Sequence, residues 1–167
     1  IPRSHIPNIR HVDYKYMEKS EMFDPGNKYS VPHFVGTVGL IYNVEMLKEK
    51  GISVPNKWSD LWDPAYKGEL LMQNSMRDLE MVGLKALGYS MNTKDGKEVR
   101  EATDKLIELD ASVKAYAVDD IRDMMLNNEA AIGLIYSREY LYNKNELKAK
   151  KSDNHLKYII YAEGYNI

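Results

Sequence analysis

The feature that most constrains the fold is a repeated change of hydrophobic period along the chain. Short apolar segments rich in β-branched residues, typical of buried strands, alternate with segments whose apolar residues recur every three to four positions, typical of amphipathic helices. The predicted strands cover residues 31–43, 68–73, 113–118, 130–136 and 156–161. Because strands joined through helices usually pair in parallel, this alternation predicts an α/β fold with a mainly parallel sheet and helices on both faces.

The predicted helices lie between these strands. They cover residues 44–50, 76–87, 99–109, 119–127 and 137–151, with one further helical turn at 58–62. Within the first strand segment, Gly36 and Gly39 predict a bend or bulge between two shorter strands. The proline-containing residues 1–30 have no sustained apolar period, which is typical of a connection with at most one short helix.

Composition excludes several classes of protein. The chain has 167 residues, enough for one domain, and its 23 Lys and Arg against 25 Asp and Glu give a net charge of −2. A dedicated nucleic-acid binder would need a basic excess, and no apolar run is long enough to span a bilayer. With no cysteine, there can be no disulfide framework or thiolate nucleophile. Because the chain starts at Ile1 without a methionine, we expect it to be a piece of a longer protein.

The residue types needed for catalysis or metal binding form no recognisable constellation. The chain lacks a GxSxG nucleophile motif and a glycine-rich phosphate loop. No pair of histidines has the spacing of metal ligands; they are His5, His11, His33 and His155. Asp119 and Asp120 could act as an acid–base pair, but their place at the start of a helix favours N-cap roles. We therefore predict no catalytic residue, no metal site and no cofactor, and we interpret the nine methionines as core residues.

Polar residues follow the strand at 68–73 and open the next helix. They are Asn74, Ser75 and Asp78. Ligands of parallel sheets bind at the carboxyl ends of the strands, so these side chains are candidate ligand contacts. The Ser75-x-x-Asp78 spacing is also that of a capping box, which the pattern alone favours. The two roles are compatible, because a carboxylate in a first helical turn can still present an oxygen to a cation.

Tyr136 ends the most apolar predicted strand and should lie at the same edge of the sheet as Asp78. An aromatic ring at that place can stack on a methylene chain or offer its face to an ammonium group. An ordinary half-buried tyrosine at a strand end is the equally good alternative. The sequence therefore predicts an edge that can receive a small organic cation, without requiring one.

Three stretches carry a family resemblance. Residues 29–40 read YSVPHFVGTVGL, residues 58–68 read WSDLWDPAYKG, and residues 84–93 read LKALGYSMNT. They resemble, in that order, the crossing between lobes, the W-x-D-L-W-x-P-x-Y-K-G signature and the L-x-x-L-G-Y-S-x-N-T stretch of the spermidine/putrescine-binding proteins. These proteins are bacterial ABC-transporter components of the extracellular solute-binding superfamily.

The resemblance implies a lobe of the type II periplasmic-binding-protein fold. Residues 1–30 would be the end of the first lobe and the approach to the hinge, residues 31–162 the second lobe, and residues 163–167 the start of the return crossing. The whole protein would be a non-enzymatic, extracytoplasmic receptor, either periplasmic or a cell-surface lipoprotein. It would close on a polyamine between two lobes and deliver it to a membrane permease.

The resemblance also assigns roles to individual residues. The family's amine-binding Asp-x-x-Glu falls on Ser75 and Asp78, so that one of its two acids is lost. Tyr136 takes the place of a ligand-contacting aromatic residue, and the S-G-[DE]-A that usually follows is replaced by SREY at 137–140. A shorter diamine or another cationic solute therefore stays open. Further alternatives are a receptor for Fe(III), thiamine or an aminophosphonate, and a ligand-sensing α/β domain of a regulator or enzyme.

Overall fold

A computed structural model describes residues 2–152 and 155–164 of the chain, which divides into two compact units between Val35 and Gly36. We call the unit before this boundary unit 1 and the unit after it unit 2. The assignment of residues 1–30, 31–162 and 163–167 to parts of a two-lobed receptor stays a prediction. Residues 165–167 of the predicted return crossing lie outside the described residues.

Unit 1 is built from short helical segments. Two 3-10 helices, Arg3–His5 and Pro7–His11, precede helix α1, Tyr14–Ser20. The Asp13 carboxylate caps α1 by accepting a hydrogen bond from the backbone N–H of Lys15. Unit 1 thus contains the single short α-helix that the sequence allows, together with two 3-10 helices.

Unit 2 contains the alternating strands and helices. They are β1 (Val38–Asn43), α2 (Val44–Lys50), β2 (Leu70–Gln73), α3 (Met76–Ala86), α4 (Gly96–Asp110), β3 (Val113–Ala117), α5 (Asp120–Leu126), β4 (Ile132–Tyr136), α6 (Ser137–Ala149) and β5 (Leu156–Ile159). A 3-10 helix at Trp58–Trp62 takes the place of the predicted single helical turn. Within the described residues, no helix is both long and apolar enough to cross a bilayer.

The five strands form one sheet in the order β3-β2-β4-β1-β5. Strand β2 pairs in parallel with β3 and β4, whereas β1 runs antiparallel to its neighbours β4 and β5. Four strands therefore share one direction and only β1 opposes them, so the prediction of a mainly parallel sheet is confirmed. The central strand β4 is buried from Ile132 to Ile135, as expected for a strand covered on both faces.

Helices cover both faces of the sheet, as predicted. One face packs against α2, α3 and α4 through Leu47, Val82 and Leu109. The other packs against α5 and α6, a core that includes Ile121 and Leu147. Side chains alternate between the two faces of β2, so Leu70 and Met72 lie in the first core and Leu71 lies in the second.

The first predicted strand is shorter than expected. Residues 31–37 contain no strand, and the Phe34 side chain is 86% exposed. The register explains this, because β1 begins where Val38 pairs with Tyr136, the last residue of β4. The Thr37 carbonyl still accepts a hydrogen bond from the Ser137 N–H at 2.8 Å, but Ser137 already belongs to α6, so the ladder does not extend further.

Gly39 lies inside β1 without the predicted bend or bulge. A Cβ atom at this position would lie 2.5 Å from the carbonyl oxygen of Ile159 and 2.8 Å from the ring of Tyr158. The glycine therefore allows β5 and its tyrosine to approach β1 closely, a packing role in place of the predicted bend or bulge.

Candidate functional site

Three parallel strands end at one edge of the sheet. Strand β2 lies between β3 and β4, and its register pairs Gln73 with Ala117 and Leu71 with Gly133. The N–H of Asn74 donates to the Ala117 carbonyl at 2.8 Å, which holds β2 and β3 together beyond the last paired residue. The residues that follow these strands therefore meet at the edge where ligands of parallel sheets bind. We call this place the carboxyl edge.

Two of the predicted site residues are in direct contact at the carboxyl edge. The Tyr136 hydroxyl donates a hydrogen bond of 2.7 Å to Oδ2 of Asp78. Alternation along β4 places Tyr136 on the same face as Leu134, the face that α3 covers, so the ring reaches the first turn of that helix. Sequence analysis predicted both residues at one edge, and the structure adds the bond between them.

The exposure of the two partners differs greatly. Asp78 is 2% exposed, whereas Tyr136 is 36% exposed. Burial raises the pKa of the Tyr136 hydroxyl to about 12, with further contributions from the hydrogen bond to Asp78 and from the charges of Asp78 and Asp119, against a lowering by Arg77. At neutral pH the tyrosine is therefore a fixed donor to the buried carboxylate, and its oxygen can still accept a hydrogen bond from outside.

The predicted capping box is wrong. Ser75 occupies the N-cap position of α3, but its side chain makes no capping hydrogen bond, and only its carbonyl accepts from the N–H of Leu79 at 3.0 Å. The Asp78 carboxylate accepts a hydrogen bond from the Tyr136 hydroxyl. Asn74 is exposed and Ser75 half-buried, so both lie at the carboxyl edge as predicted.

Asp119 does not have the capping role predicted for it. It stands at the N-cap position of α5 with helical backbone angles, φ −71° and ψ −28°, and its side chain makes no capping hydrogen bond. A capping side chain normally needs an extended backbone at that residue. Asp119 instead follows β3 at the carboxyl edge as an exposed acid.

Two apolar side chains at this edge were also missed. Met76, the first residue of α3, is 83% exposed, and Val118, which follows β3, is 44% exposed. The helical period counted Met76 as a core residue, but the first turn of α3 extends past the sheet and leaves nothing to cover it. Their positions in the sequence could have identified them, since both residues directly follow or flank the ends of parallel strands.

Gln73, the last residue of β2, is 1% exposed, and within the described part of the chain neither Nε2 nor Oε1 of its side chain has a hydrogen-bond partner. Strand alternation puts Gln73 on the same side as Leu71, facing the core that α5 and α6 cover. A buried amide without a partner costs about 1–3 kcal/mol, and such groups often mark functional places.

The altered SREY stretch has a structural role at the start of α6. Glu139 is buried and accepts hydrogen bonds from Arg138 at 2.9 Å and from Arg122 at 3.5 Å. The Ser137 N–H donates to the Thr37 carbonyl at 2.8 Å. These contacts fix the backbone that carries Tyr136.

A surface cavity of about 500 Å³ lies elsewhere, lined by Ser53, Val54, Asn56, Ser59, Asp60, Trp62, Asp63, Pro64 and Tyr66. Its residues precede β2, whereas the carboxyl edge follows it, so the two features are separate. Among the residues that the structure describes, no group of three or more His, Asp or Glu has the geometry of a metal site.

The sequence is similar to curated proteins that are named for binding polyamines. It is 33% identical over 137 residues to the spermidine/putrescine-binding periplasmic protein of Escherichia coli K12, which covers 82% of this chain and 38% of that protein. It is 25% identical over 173 residues to the putrescine-binding periplasmic protein SpuD of Pseudomonas aeruginosa, with 98% of this chain and 47% of that protein covered. The chain thus spans less than half the length of these curated relatives.

The fold is likewise similar to a solved receptor structure. The spermidine/putrescine ABC transporter substrate-binding protein of Streptococcus pneumoniae matches with a TM-score of 0.78 and 33% identity, over 95% of this chain and 46% of that one. Residues 4–165 match the family described as bacterial extracellular solute-binding proteins. Because this match covers nearly the whole chain, the chain belongs to the bacterial extracellular solute-binding protein family.

Proposed function

We propose that this chain is part of an extracytoplasmic polyamine receptor of an ABC transporter, which binds spermidine or putrescine between two lobes and delivers it to a permease. The observation that carries the proposal is the hydrogen bond between Tyr136 and the buried Asp78 at the carboxyl edge. The similarity to spermidine/putrescine-binding relatives supports the same solute class. In this role the protein binds its solute and releases it without converting it chemically.

The carboxyl edge offers both kinds of contact that a polyamine needs. An ammonium group must keep hydrogen-bond acceptors when it leaves water, and the Tyr136 oxygen, backed by the Asp78 carboxylate, is such an acceptor. The side-chain oxygens of Asn74 and Ser75 can accept further N–H groups. The exposed apolar side chain of Met76 can cover methylene groups.

The proposed site needs both lobes. Each desolvated ammonium requires matched acceptors, and one lobe leaves half of a bound solute in water. We therefore attribute to the residues of this chain one wall of the site, with the opposite wall supplied by the rest of the receptor.

Calorimetric titration of the full-length protein with spermidine and putrescine tests the proposal. Asp78→Asn removes the charge behind Tyr136 and should weaken binding more than tenfold, about 1.4 kcal/mol. The control is Asp95→Asn, which changes a carboxylate that accepts from the Lys97 N–H at the N-cap of α4 and should keep the wild-type affinity. Equal affinity of the wild type and Asp78→Asn would refute the role of this carboxylate.

The alternative solutes are separated by a thermal-shift screen of the same protein. An anion such as an aminophosphonate would use backbone amides and the uncharged Asn74 and Ser75, and should be repelled by the acidic residues of the carboxyl edge. Polyamines should raise the unfolding temperature, whereas phosphonates, Fe(III) and thiamine should not. Stabilisation by one of the latter three alone would replace the proposal.

A further inference from the structure

The buried position of Asp78 limits what it can do in the proposed site. Its side chain is 2% exposed, and the Tyr136 hydroxyl occupies Oδ2 at 2.7 Å. A solute that enters from the carboxyl edge therefore meets the tyrosine oxygen first. Asp78 acts on a cation through Tyr136, so a carboxylate that touches an ammonium directly must be sought elsewhere on the edge.

Asp119 has the properties that Asp78 lacks. Asp119 is exposed, and within the described ranges its carboxylate neither caps α5 nor forms another side-chain hydrogen bond or ion pair. Backbone geometry fixes its place, because the bond from Asn74 to the Ala117 carbonyl holds the end of β3 against the end of β2. Asp119 follows two residues later. Its charge also contributes to the raised pKa of Tyr136, which is consistent with that position.

We infer that Asp119 is a ligand-binding residue of this edge, whose carboxylate pairs directly with one ammonium group of a diamine while the Tyr136 oxygen accepts from the other. The inference rests on the proposed function and deepens it. Asp119 would supply a second acid in place of the one that the resemblance expects at the position of Ser75.

The spacing of the strands determines the class of solute. Strands β3 and β4 are separated by β2 alone, and two inter-strand spacings amount to roughly 9.5 Å. A solute that is held by Asp119 and Tyr136 together therefore needs two ammonium groups joined by a short methylene chain. Val118, 44% exposed beside Asp119, gives such a chain an apolar contact.

A second unexplained polar group lies next to the same edge. Gln73 ends the strand between β3 and β4, and its buried carboxamide has no partner among the described residues. Structures rarely keep such a group inside without a reason. Its backbone lies between the ends of β3 and β4, and its side chain faces the core that α5, the helix after Asp119, covers.

The test compares Asp119→Asn with Asp120→Asn in the full-length protein, by calorimetry with putrescine. Both residues are exposed aspartates at the start of α5, so the two variants lose the same charge on neighbouring positions. Asp119→Asn should weaken putrescine binding at least tenfold and Asp120→Asn less than twofold. Asp119→Glu, which keeps the charge, should recover part of the affinity.

A second measurement separates ligand contact from a structural effect. Butylamine has one ammonium, so the preference of the wild type for putrescine over butylamine should fall at least fivefold in Asp119→Asn, while the unfolding temperature without ligand stays the same. Equal losses in Asp119→Asn and Asp120→Asn, or no loss in either, would overturn the inference and leave the proposed function standing. Failure of the wild type to bind any polyamine would overturn both.

Discussion

The hydrogen bond between Tyr136 and Asp78 gives the sharpest test of the structure. Tyr136→Phe removes only the hydroxyl that donates to Asp78 at 2.7 Å. Hydrogen bonds to charged groups contribute about 1.5–3 kcal/mol, and the 2% exposure of Asp78 gives water little access to replace the lost donor. Because the Tyr136 ring is 36% exposed, some water can enter, so we expect a loss of about 1.5–2 kcal/mol in the free energy of unfolding.

Urea denaturation of this chain, followed by circular dichroism, measures that loss. For a chain of this size it corresponds to a fall of roughly 4–7 °C in Tm. The control is Tyr142→Phe, a tyrosine of similar exposure at 44%, which should change stability by less than about 0.5 kcal/mol. A double-mutant cycle with Asp78→Asn should give a coupling of about 1 kcal/mol or more. A Tyr136→Phe variant as stable as the wild type would refute the reasoning.

Alkaline pH provides a second readout of the same substitution. The pKa of Tyr136 is raised from its ordinary value of 10.0 to about 12, so the unfolded chain releases the proton before the folded one. Above pH 10 the unfolded state binds fewer protons, and stability must fall as pH rises towards 12. Tyr136→Phe should therefore lose less stability over this range than the wild type. Identical pH profiles would mean that folding does not raise the pKa of this hydroxyl.

Two further substitutions test the packing around the site. Gly39→Ala places a Cβ 2.5 Å from the Ile159 carbonyl oxygen and should lower the free energy of unfolding, measured by urea denaturation, by about 2–3 kcal/mol. The control is Gly36→Ala, whose new Cβ would have its nearest atom at 3.9 Å and should lower that free energy by less than about 1 kcal/mol. Equal effects would contradict the close approach of β1 and β5. Gln73→Met replaces a buried amide, which has no hydrogen-bond partner among the described residues, by an apolar side chain of similar shape. It should raise stability by about 1 kcal/mol, so a loss of stability would show that the amide is paired in solution.

The fold could be predicted from the sequence because it depends on local periods. Strands such as β4 and helices such as α4 bury enough apolar residues at a fixed spacing for the hydrophobic pattern alone to indicate the type of element. The strand predicted at 31–37 does not form, because a strand also needs a neighbouring strand to pair with, and β4 ends opposite Val38. That information lies about one hundred residues away in the chain, where no local pattern can reveal it.

The location of the site could be predicted from the sequence, but the contacts within it could not. The order of strands and helices located Asn74, Asp78 and Tyr136 at one edge, since carboxyl ends of parallel strands converge. The choice between capping and ligand contact depended on what the Asp78 carboxylate meets in three dimensions, and there it meets Tyr136. Asp119 was assigned to a cap for the same reason, because its helical backbone angles are not visible in sequence.

In the receptor proposed above, the two acids at different depths would serve both to hold and to release the solute. An ammonium bound to the Tyr136 oxygen would lie roughly 5.5 Å from the buried Asp78 carboxylate, which at an effective dielectric constant of 20 is worth about 3 kcal/mol of attraction. That attraction is built into the fold and needs no rearrangement to act. A contact with exposed Asp119 is instead weakened by water and salt whenever the site opens. Opening of the lobes would thus remove one of the two attractions while the other remains, which makes release possible without unfolding the site.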